Sequence, residues 1–298
     1  MSQYSFRILN VFAETTFGGN PLCVFEDARG MSDDSMQALA RQFNLSETTF
    51  ILPSDKADAR VRIFTTGYEM RFAGHPTLGS AHVVRDLLGA GNRLSLEFKA
   101  GIVPVFADND VWTFTAPTSS KVVTRSVDVP HDLIARMLGL QPSDLLGEPL
   151  WVDTGADQLL VPVKTAEAVR RARPAGDLLE HWPVSSLGRK TAYVFALTGE
   201  TGKEQHVLAR YFFTMQGGGV SEDPGTGSAC ANLGGWLIET GRAVPCRIRV
   251  SQGEAVSRPC HLMLHVTRDR DIQVGGKVIE LGRGSVNIQT RSTKMQIA

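Results

Sequence analysis

The chain contains many short apolar or alternating segments bounded by turn residues, which is the pattern of β-strands. In the first 118 residues the predicted strands are Tyr4–Phe12, Leu22–Phe25, Thr48–Leu52, Ala59–Phe64 and Leu94–Phe98. In the remainder they are Gln158–Val163, Ala192–Leu197, Val207–Thr214, Arg247–Val250, His261–Val266 and Asp271–Val274. Strands therefore outnumber helices in both halves, and the pattern predicts an α+β protein.

Helical periodicity occurs in fewer segments. Apolar residues recur at i, i+3, i+4 and i+7 between Met36 and Phe43, which is one face of a helix. Ser32 precedes this run as a candidate N-cap, and Asn44 is the candidate helix end. A shorter helix is predicted near Pro130 to Leu138.

Two further helices are predicted at about 77–88, ended by Gly89, and at about 226–239, ended by Gly241. The second reads TGSACANLGGWLI over residues 226–238 and contains no charged residue. A helix without a polar face is expected to be buried on all sides. Its glycines and alanines would let strands approach closely.

Both special helices begin at a repeated motif, HPTLGSA (75–81) and DPGTGSA (223–229), and the copies lie about half the chain length apart. This spacing predicts two pseudo-symmetric halves, each a β-barrel-like sheet wrapped around a central buried helix. We place the halves at residues 1–118 and 119–298, joined by a linker at Phe114–Ser120. The last ~15 residues are candidates to return to the first half.

Composition restricts the possible functions. The 298 residues include 31 Lys and Arg and 31 Asp and Glu, so the net charge of zero argues against a nucleic-acid binder. No apolar run reaches the ~18 residues of a membrane span, and the first residues do not resemble a secretory signal. The four cysteines include no C-x-x-C pair, which favours the reducing cytoplasm.

The repeated motif also suggests a chemistry. Proline fits a first helical turn, and glycines leave the amides of that turn open to an anion. Two such helix starts facing each other across an interdomain cleft could hold a small carboxylate-bearing molecule from both ends. His75 and Asp223, at matching motif positions, are a base and an acid suited to proton transfer beside it. One copy alone would be interpreted as a helix cap with small packing residues, but two copies favour binding.

Other sites are less well supported by the sequence. A dinucleotide fingerprint beginning at Gly225 is broken, because Cys230 stands at its third glycine position. His261 and His265 share a strand face but have no third metal ligand nearby. Cys230 lies one turn inside its helix and is expected to be a core thiol rather than a nucleophile.

At the motifs the sequence resembles the PhzF-like family of phenazine-biosynthesis isomerases, within the wider diaminopimelate-epimerase-like fold. The matching segments span nearly the whole chain: Gly19–Pro21, Leu45–Phe50, Phe72–Gly79, Glu222–Ala229 and Val274–Gly276. The resemblance implies an active site between the two halves, a homodimer, and no need for a metal or organic cofactor.

The resemblance also implies roles for individual residues. Glu47 would be the principal acid/base, and His75 and Asp223 would assist by holding or shuttling protons. The remaining implied residues would bind the substrate: Asn20 lining the pocket, and the amides around Gly74, His75, Gly227 and Ser228. Without the resemblance, the position of Glu47 would indicate only a charged residue at the start of a strand. A catalytic glutamate needs a raised pKa, so we expect a partly desolvated side chain.

The sequence therefore predicts a cytoplasmic, cofactor-independent isomerase that catalyses a double-bond shift or an epimerisation on a small carboxylate. A cysteine-type amino-acid racemase is one alternative, but the helix starts carry Gly74-His75 and Asp223 instead of cysteines. A non-catalytic small-molecule binding protein of the same fold is another. Thr66, where the family often has proline, and Cys23, where alanine is usual, put the substrate in doubt more than the fold.

Overall fold

The computed structural model describes residues 2–117, 121–202, 204–215 and 217–288. The strands of the first part of the chain are β1 (Ser2–Val11), β2 (Asn20–Phe25), β3 (Glu47–Leu52), β4 (Ala59–Phe64), β5 (Glu69–Met70), β6 (Arg93–Phe98), β7 (Gly101–Asp108) and β8 (Val111–Thr115). Those that follow are β9 (Val123–Ser126), β10 (Leu150–Asp153), β11 (Gln158–Pro162), β12 (Thr191–Thr201), β13 (Glu204–Thr214), β14 (Val220–Asp223), β15 (Cys246–Gln252), β16 (Cys260–Val266) and β17 (Ile272–Ile288).

The helices within these ranges are α1 (Asp33–Phe43), α2 (Gly74–Leu88), α3 (His131–Met137), α4 (Ala166–Arg171) and α5 (Gly227–Glu239). In the part of the chain that the structure describes, no helix has both the length and the apolar character needed to span a membrane. Ser32 caps α1 through its hydroxyl, and Asn44 ends it in the left-handed conformation, as predicted.

Eight strands of the first sheet close into a barrel. Hydrogen bonding runs in the order β1, β2, β3, β4, β6, β7, β8 and β17, and β17 pairs again with β1. α2 passes through this barrel, and its first eight residues, 74–81, are all buried. A core helix is possible here because the first charged side chain of α2 is Arg85.

The second sheet curves around α5 in the order β9, β10, β11, β12, β13, β15, β16 and β17. Ten of the thirteen α5 residues are buried, as its uncharged sequence predicts. Gly234 and Gly235 let it pack closely: a Cβ on each would lie 2.8 Å from Ile272 and 2.9 Å from Val122, respectively. The predicted α+β architecture, with a central helix in each sheet, is confirmed.

One long strand, β17, is shared by the two sheets. Its first residues pair with β16, and the segment 278–288 pairs with β1. The sequence pattern predicted a strand only at Asp271–Val274, because the later part alternates glycine and charge and resembles exposed chain. Of the last ~15 residues, 284–288 pair with β1, whereas 289–298 lie outside the described residues.

The predicted linker at Phe114–Ser120 is wrong in its first part. Phe114 and Thr115 belong to β8, and Phe114 is buried with its ring 5.6 Å from that of Phe72. Trp112 and Phe114 alternate with more exposed residues, as in a strand, but the small polar residues that follow made this end of the segment look like a linker. Residues 118–120 lie outside the described residues, so the division at 118/119 stays a prediction.

The symmetry drawn from the repeated motif also needs correction. Pro76 lies in the first turn of α2, as expected, but Pro224 precedes α5, whose N-cap is Thr226. The residues before Pro224 complete β14 instead of opening a helix. The helix starts that meet in space are therefore Gly74 and Gly227, and His75 and Asp223 do not occupy equivalent positions.

The starts of α2 and α5 touch through their backbones. A Cβ on Gly74 would lie 2.9 Å from the Cα of Gly227 and 3.2 Å from its carbonyl carbon. A Cβ on Gly227 would lie 3.1 Å from the Cα of Gly74. Non-bonded carbon atoms pack at about 3.5–4.0 Å, so only glycine at both positions permits this contact.

Replacing Gly74 by alanine should therefore push the two helices apart. We expect Gly74→Ala to lower the free energy of unfolding by about 1–3 kcal/mol, the usual cost of overpacking. Urea denaturation of the variant and the parent protein measures it. Gly91→Ala is the control, because a Cβ there meets no atom within 4 Å. Equal midpoints for the two variants would contradict the close contact.

Candidate active site

Glu47 and His75 face each other at the junction of the two halves. Glu47 is the first residue of β3, and His75 is the second residue of α2. The Glu47 Oε2 atom lies 3.3 Å from His75 Nε2, and their side chains are only 15% and 6% exposed. Within the described residues neither atom has a well-aligned hydrogen-bond partner. The pair is thus in contact but poorly satisfied, as is common before a substrate binds.

Burial determines the protonation of this pair. It raises the pKa of Glu47 to about 8, with repulsion from Asp223 adding to the effect and hydrogen bonding to Ser46 and the charge of Arg189 opposing it. Burial also lowers the pKa of His75 to about 3, against a hydrogen bond to the Pro21 backbone. The predicted desolvation of Glu47 is therefore present. Near neutral pH, Glu47 can gain or lose a proton while His75 stays neutral.

Asp223 is held beside this pair by hydrogen bonds from both halves. Asn20 Nδ2 donates to Asp223 Oδ1 at 2.9 Å, and the Thr226 hydroxyl donates to Oδ2. Burial nevertheless raises the pKa of Asp223, and these two hydrogen bonds oppose that rise. Asn20 also accepts from Ser46, the neighbour of Glu47, at 3.2 Å. Asn20 is fully buried, so it ties β2 and β3 to the Asp223 segment.

Neither helix start at this junction is capped by a side chain. The N-caps Ala73 and Thr226 make no side-chain capping bond, and Thr226 instead donates to Asp223. The first amides of a helix have no partner inside the helix, and its N-terminal end carries partial positive charge. Two such ends in contact, at Gly74 and Gly227, form a region that favours a negative group.

Ser228 is positioned by a buried polar network behind the start of α5. Gln158 Nε2 donates to Ser228 Oγ at 2.9 Å, and Gln158 Oε1 accepts from Asn232 Nδ2 at 2.9 Å. Asn232 Oδ1 in turn accepts from the backbone and the hydroxyl of Thr154. The fully buried Asn232 therefore fixes the Gln158 amide, which orients Ser228.

The structure brings together all the residues singled out from the sequence: Glu47, His75, Asp223, Asn20, Gly74, Gly227 and Ser228. Their positions at one junction are structural facts, and their catalytic and binding roles stay predictions. Residues that the sequence analysis missed include Ser46, Gln158, Asn232, Arg189 and Tyr211, whose hydroxyl accepts from Gln158 Nε2 at 3.4 Å. Asn232 had one signal available, since an amide in an otherwise apolar buried helix needs partners.

The cysteines do not reproduce a pair of thiols at the helix starts. Cys230 lies three residues beyond Gly227 inside α5 and is fully buried. Burial raises the pKa of Cys230 and of Cys260. His261 and His265 were considered as metal ligands. In the structure, His261 Nδ1 lies 3.3 Å from Ser251 Oγ, and His265 Nδ1 lies 3.1 Å from Gln273 Oε1.

A separate cavity of about 390 Å³ lies at the opposite end of α2. Arg7 at its base is paired with Glu26, Asp86 and Glu280. The charge of Arg7 is therefore compensated, and none of the lining residues belongs to the Glu47 junction. The poorly satisfied acid–base pair lies at the junction and not in this cavity.

Comparison with known proteins identifies the family of the chain. The family model of phenazine biosynthesis-like proteins, PhzC-PhzF, matches residues 9–284. The chain belongs to the PhzF family. An uncharacterized isomerase from Pasteurella multocida is 37% identical over 96% of this chain and 95% of its own length. Trans-2,3-dihydro-3-hydroxyanthranilate isomerase from Pseudomonas chlororaphis is 29% identical over 95% of this chain and 99% of its own. This PhzF-family protein is an isomerase.

Solved structures agree with the fold. A PhzF-family phenazine biosynthesis protein from Bacillus anthracis has a TM-score of 0.83 at 24% identity, covering 97% of this chain and all of that one. A probable proline racemase from Agrobacterium radiobacter has a TM-score of 0.62 at 12% identity, covering 96% and 93% of the two chains. The likeness of this PhzF-family chain to these two structures concerns the fold alone.

The raised pKa of Glu47 predicts that stability falls as the pH rises through the neutral range. The folded protein keeps a proton on Glu47 up to about pH 8, whereas an exposed glutamate loses it near 4.5. Between pH 6.5 and 8 the free energy of unfolding should then decrease, by at most about 1.4 kcal/mol per pH unit for one proton. His75 has the opposite effect, because its pKa is lowered from 6.5, but this effect is small above pH 6.5, where the imidazole of the unfolded chain is already mostly neutral.

Glu47→Gln should flatten this pH dependence, and urea unfolding at pH 6.5 and 8 measures it. Glu148→Gln, which removes an exposed carboxylate, is the control and should retain the parent slope. In Glu47→Gln the raised pKa of Asp223 would leave a slope of the same sign, whereas the lowered pKa of His75 would oppose it near pH 6.5. An unchanged slope in Glu47→Gln would show that Glu47 is not desolvated.

Proposed function

We propose that this isomerase moves a proton within a small carboxylate-bearing molecule, without a cofactor, and with Glu47 as the acid/base. The observation that carries the proposal is the Glu47–His75 contact at the point where two uncapped helix starts meet. A base with a pKa near the working pH can both remove and return a proton. The reaction is either a double-bond shift or an epimerisation.

The substrate carboxylate would lie against the amides of Gly74, His75, Gly227 and Ser228. A helix N-terminus favours an anion by about 0.3–1 kcal/mol at the surface and up to ~2 kcal/mol when partly buried. Negative charge that develops on the substrate beside its carboxylate would be stabilised by the same amides. Anion binding and stabilisation of the reaction intermediate are therefore combined at one place.

The proton steps balance without an outside reagent. Ionised Glu47 removes a proton from a carbon next to a double bond or to the carboxylate, and the C–H electron pair delocalises over the conjugated system. Protonated Glu47 then returns the proton to a different carbon, or protonated Asp223 gives its own proton to the opposite face while Glu47 keeps the one it removed. In the second case, exchange with solvent water removes the proton from Glu47 and restores one to Asp223. The first outcome shifts a double bond, and the second inverts a stereocentre.

The alternatives are weakened by particular observations. A two-thiol racemase would need thiols at both helix starts, whereas the starts carry Gly74-His75 and Gly227-Ser228. A protein that only binds its ligand would have no need of an unsatisfied buried carboxyl, which costs stability. The four cysteines are free, in keeping with the proposed cytoplasmic location. The homodimer implied by the resemblance stays a prediction.

Exchange of substrate hydrogen with deuterated water tests the proposed chemistry directly. A panel of small cyclic and acyclic unsaturated carboxylic acids is incubated with the protein in D₂O and analysed by mass spectrometry. We expect label in at least one acid, and a 10²–10⁴-fold slower rate in Glu47→Gln, the usual contribution of a general base.

Two controls separate the alternatives. Cys230→Ala and treatment with a thiol-alkylating reagent should leave exchange intact, and loss of activity in either would favour a thiol racemase. Incorporation that persists at the parent rate in Glu47→Gln would remove Glu47 from the mechanism. A protein that binds acids of the panel but labels none of them would instead be the non-catalytic binder.

A further inference from the structure

Arg189 projects from a rigid turn of the second half. The Ser185 backbone amide donates to the Arg189 carbonyl at 2.8 Å, and the Arg189 amide donates to Ser185 Oγ at 3.1 Å. Asp157 holds the same turn by accepting from the amide and the hydroxyl of Ser186, both at 2.8 Å. These hydrogen bonds therefore hold the backbone of Arg189 in place, two residues before β12 begins.

The guanidinium of Arg189 reaches the other half of the molecule and lies over the ring of Tyr68, 5.4 Å from its centroid. Tyr68 ends a turn in which the Thr65 hydroxyl accepts from the amides of Gly67 and Tyr68 at 3.1 and 3.0 Å. That turn follows β4, whose Phe64 pairs with Thr48 directly after Glu47. Two hydrogen-bonded turns, one from each half, thus place a cation close to the Glu47 end of β3.

This cation lacks a counter-ion among the described residues. Some arginines of the same half pair with carboxylates, such as Arg210 with Glu222 at 2.7 Å, whereas others, such as Arg242, have no carboxylate at ion-pair distance among the described residues. The hydrogen bonds found for Arg189 in the described ranges are made by its main chain. Its side chain is half-buried, yet its charge acts on both Glu47 and Tyr211.

We propose that Arg189, stacked on Tyr68, binds a second carboxylate of the substrate, so that the substrate is a dicarboxylate. This inference rests on the proposed function, in which the first carboxylate lies at Gly74 and Gly227. A guanidinium presents parallel N–H donors that match a carboxylate, and the aromatic ring orients it. The reacting carbon then lies between two anchored acid groups, within reach of Glu47.

A dicarboxylate that binds at Arg189 would also lie beside two buried acids, Glu47 and Asp223. Glu47 and Asp223 would repel a dianion if both were ionised, but burial favours their protonated forms. A second anchor from the opposite half would also fix the distance between the two acid groups that the site accepts. Arg189 is thus a specificity residue, whereas Glu47 performs the proton transfer.

Matched pairs of ligands test the subsite without requiring turnover. Succinate, glutarate and adipate are compared with succinamate, glutaramate and adipamate, in which one carboxylate becomes a neutral amide of similar size. Calorimetry on the full-length protein should show at least one diacid binding tenfold or more tightly than its half-amide. Arg189→Gln should reduce that ratio to about one, and Arg189→Lys should retain part of it.

Arg242→Gln is the matched control, because Arg242 also lies over an aromatic ring, that of Trp236, at the far end of α5. It should keep the parent ratio. A parent protein that binds diacids and half-amides alike, or an Arg189→Gln variant that keeps the preference, would overturn the proposal. Thermal unfolding checks that each variant is folded, and the Lys variant keeps the test valid if the Gln variant is not.

The same experiment distinguishes failure of the subsite from failure of the proposed function. If the protein prefers diacids through Arg189 but labels no acid in D₂O, the second carboxylate subsite is supported and the isomerisation scheme is rejected. If labelling depends on Glu47 but diacids are not preferred, the isomerisation scheme is supported and the subsite is rejected. For a labelled acid, Arg189→Gln should also shift the pH–rate profile to higher pH, because Arg189 lowers the pKa of Glu47.

Discussion

The backbone contact between Gly74 and Gly227 is the constraint on which the rest of the structure depends. Each residue begins a helix that is buried inside its own sheet, so the contact fixes the two sheets relative to each other. Because no side chain separates the helix starts, their positive ends combine into one region. Glu47 and His75 lie beside this point, and Asp223 and Asn20 are hydrogen-bonded to each other across it.

Desolvation determines the electrostatics of the junction. Near neutral pH, burial keeps Glu47 mainly protonated and His75 neutral, and it raises the pKa of Asp223, so burial opposes the build-up of charge at the junction. A buried carboxyl with a pKa near 8 is costly for folding above neutral pH, but it is well suited to transfer protons. The Asp223 carboxyl accepts hydrogen bonds from Asn20 and Thr226, and its backbone carbonyl accepts one from Gln252. The facing atoms of Glu47 and His75, in contrast, have no well-aligned hydrogen-bond partner among the described residues.

The sequence predicted the architecture well because burial leaves a clear composition signal. The uncharged helix at 226–238 and the alternating strands could be assigned from their pattern, and the family motifs identified Glu47. The pattern failed where composition misleads: at Phe114, inside a strand that precedes polar residues, and in β17, whose glycines and charges resemble loop. It also paired His75 with Asp223, because a repeated Pro-x-x-Gly-Ser-Ala spacing does not reveal where each helix begins.

Residues such as Arg189 and Tyr68 were not predictable, because they lie 121 positions apart and meet only through the packing of the two halves. The central claim, that the joined helix starts bind a carboxylate beside Glu47, is tested most directly by amide NMR of the deuterated protein during titration with crotonate. The account predicts that the largest shifts occur at Gly74, His75, Gly227 and Ser228. Saturable shifts confined to other parts of the molecule, with these four amides unchanged, would contradict it.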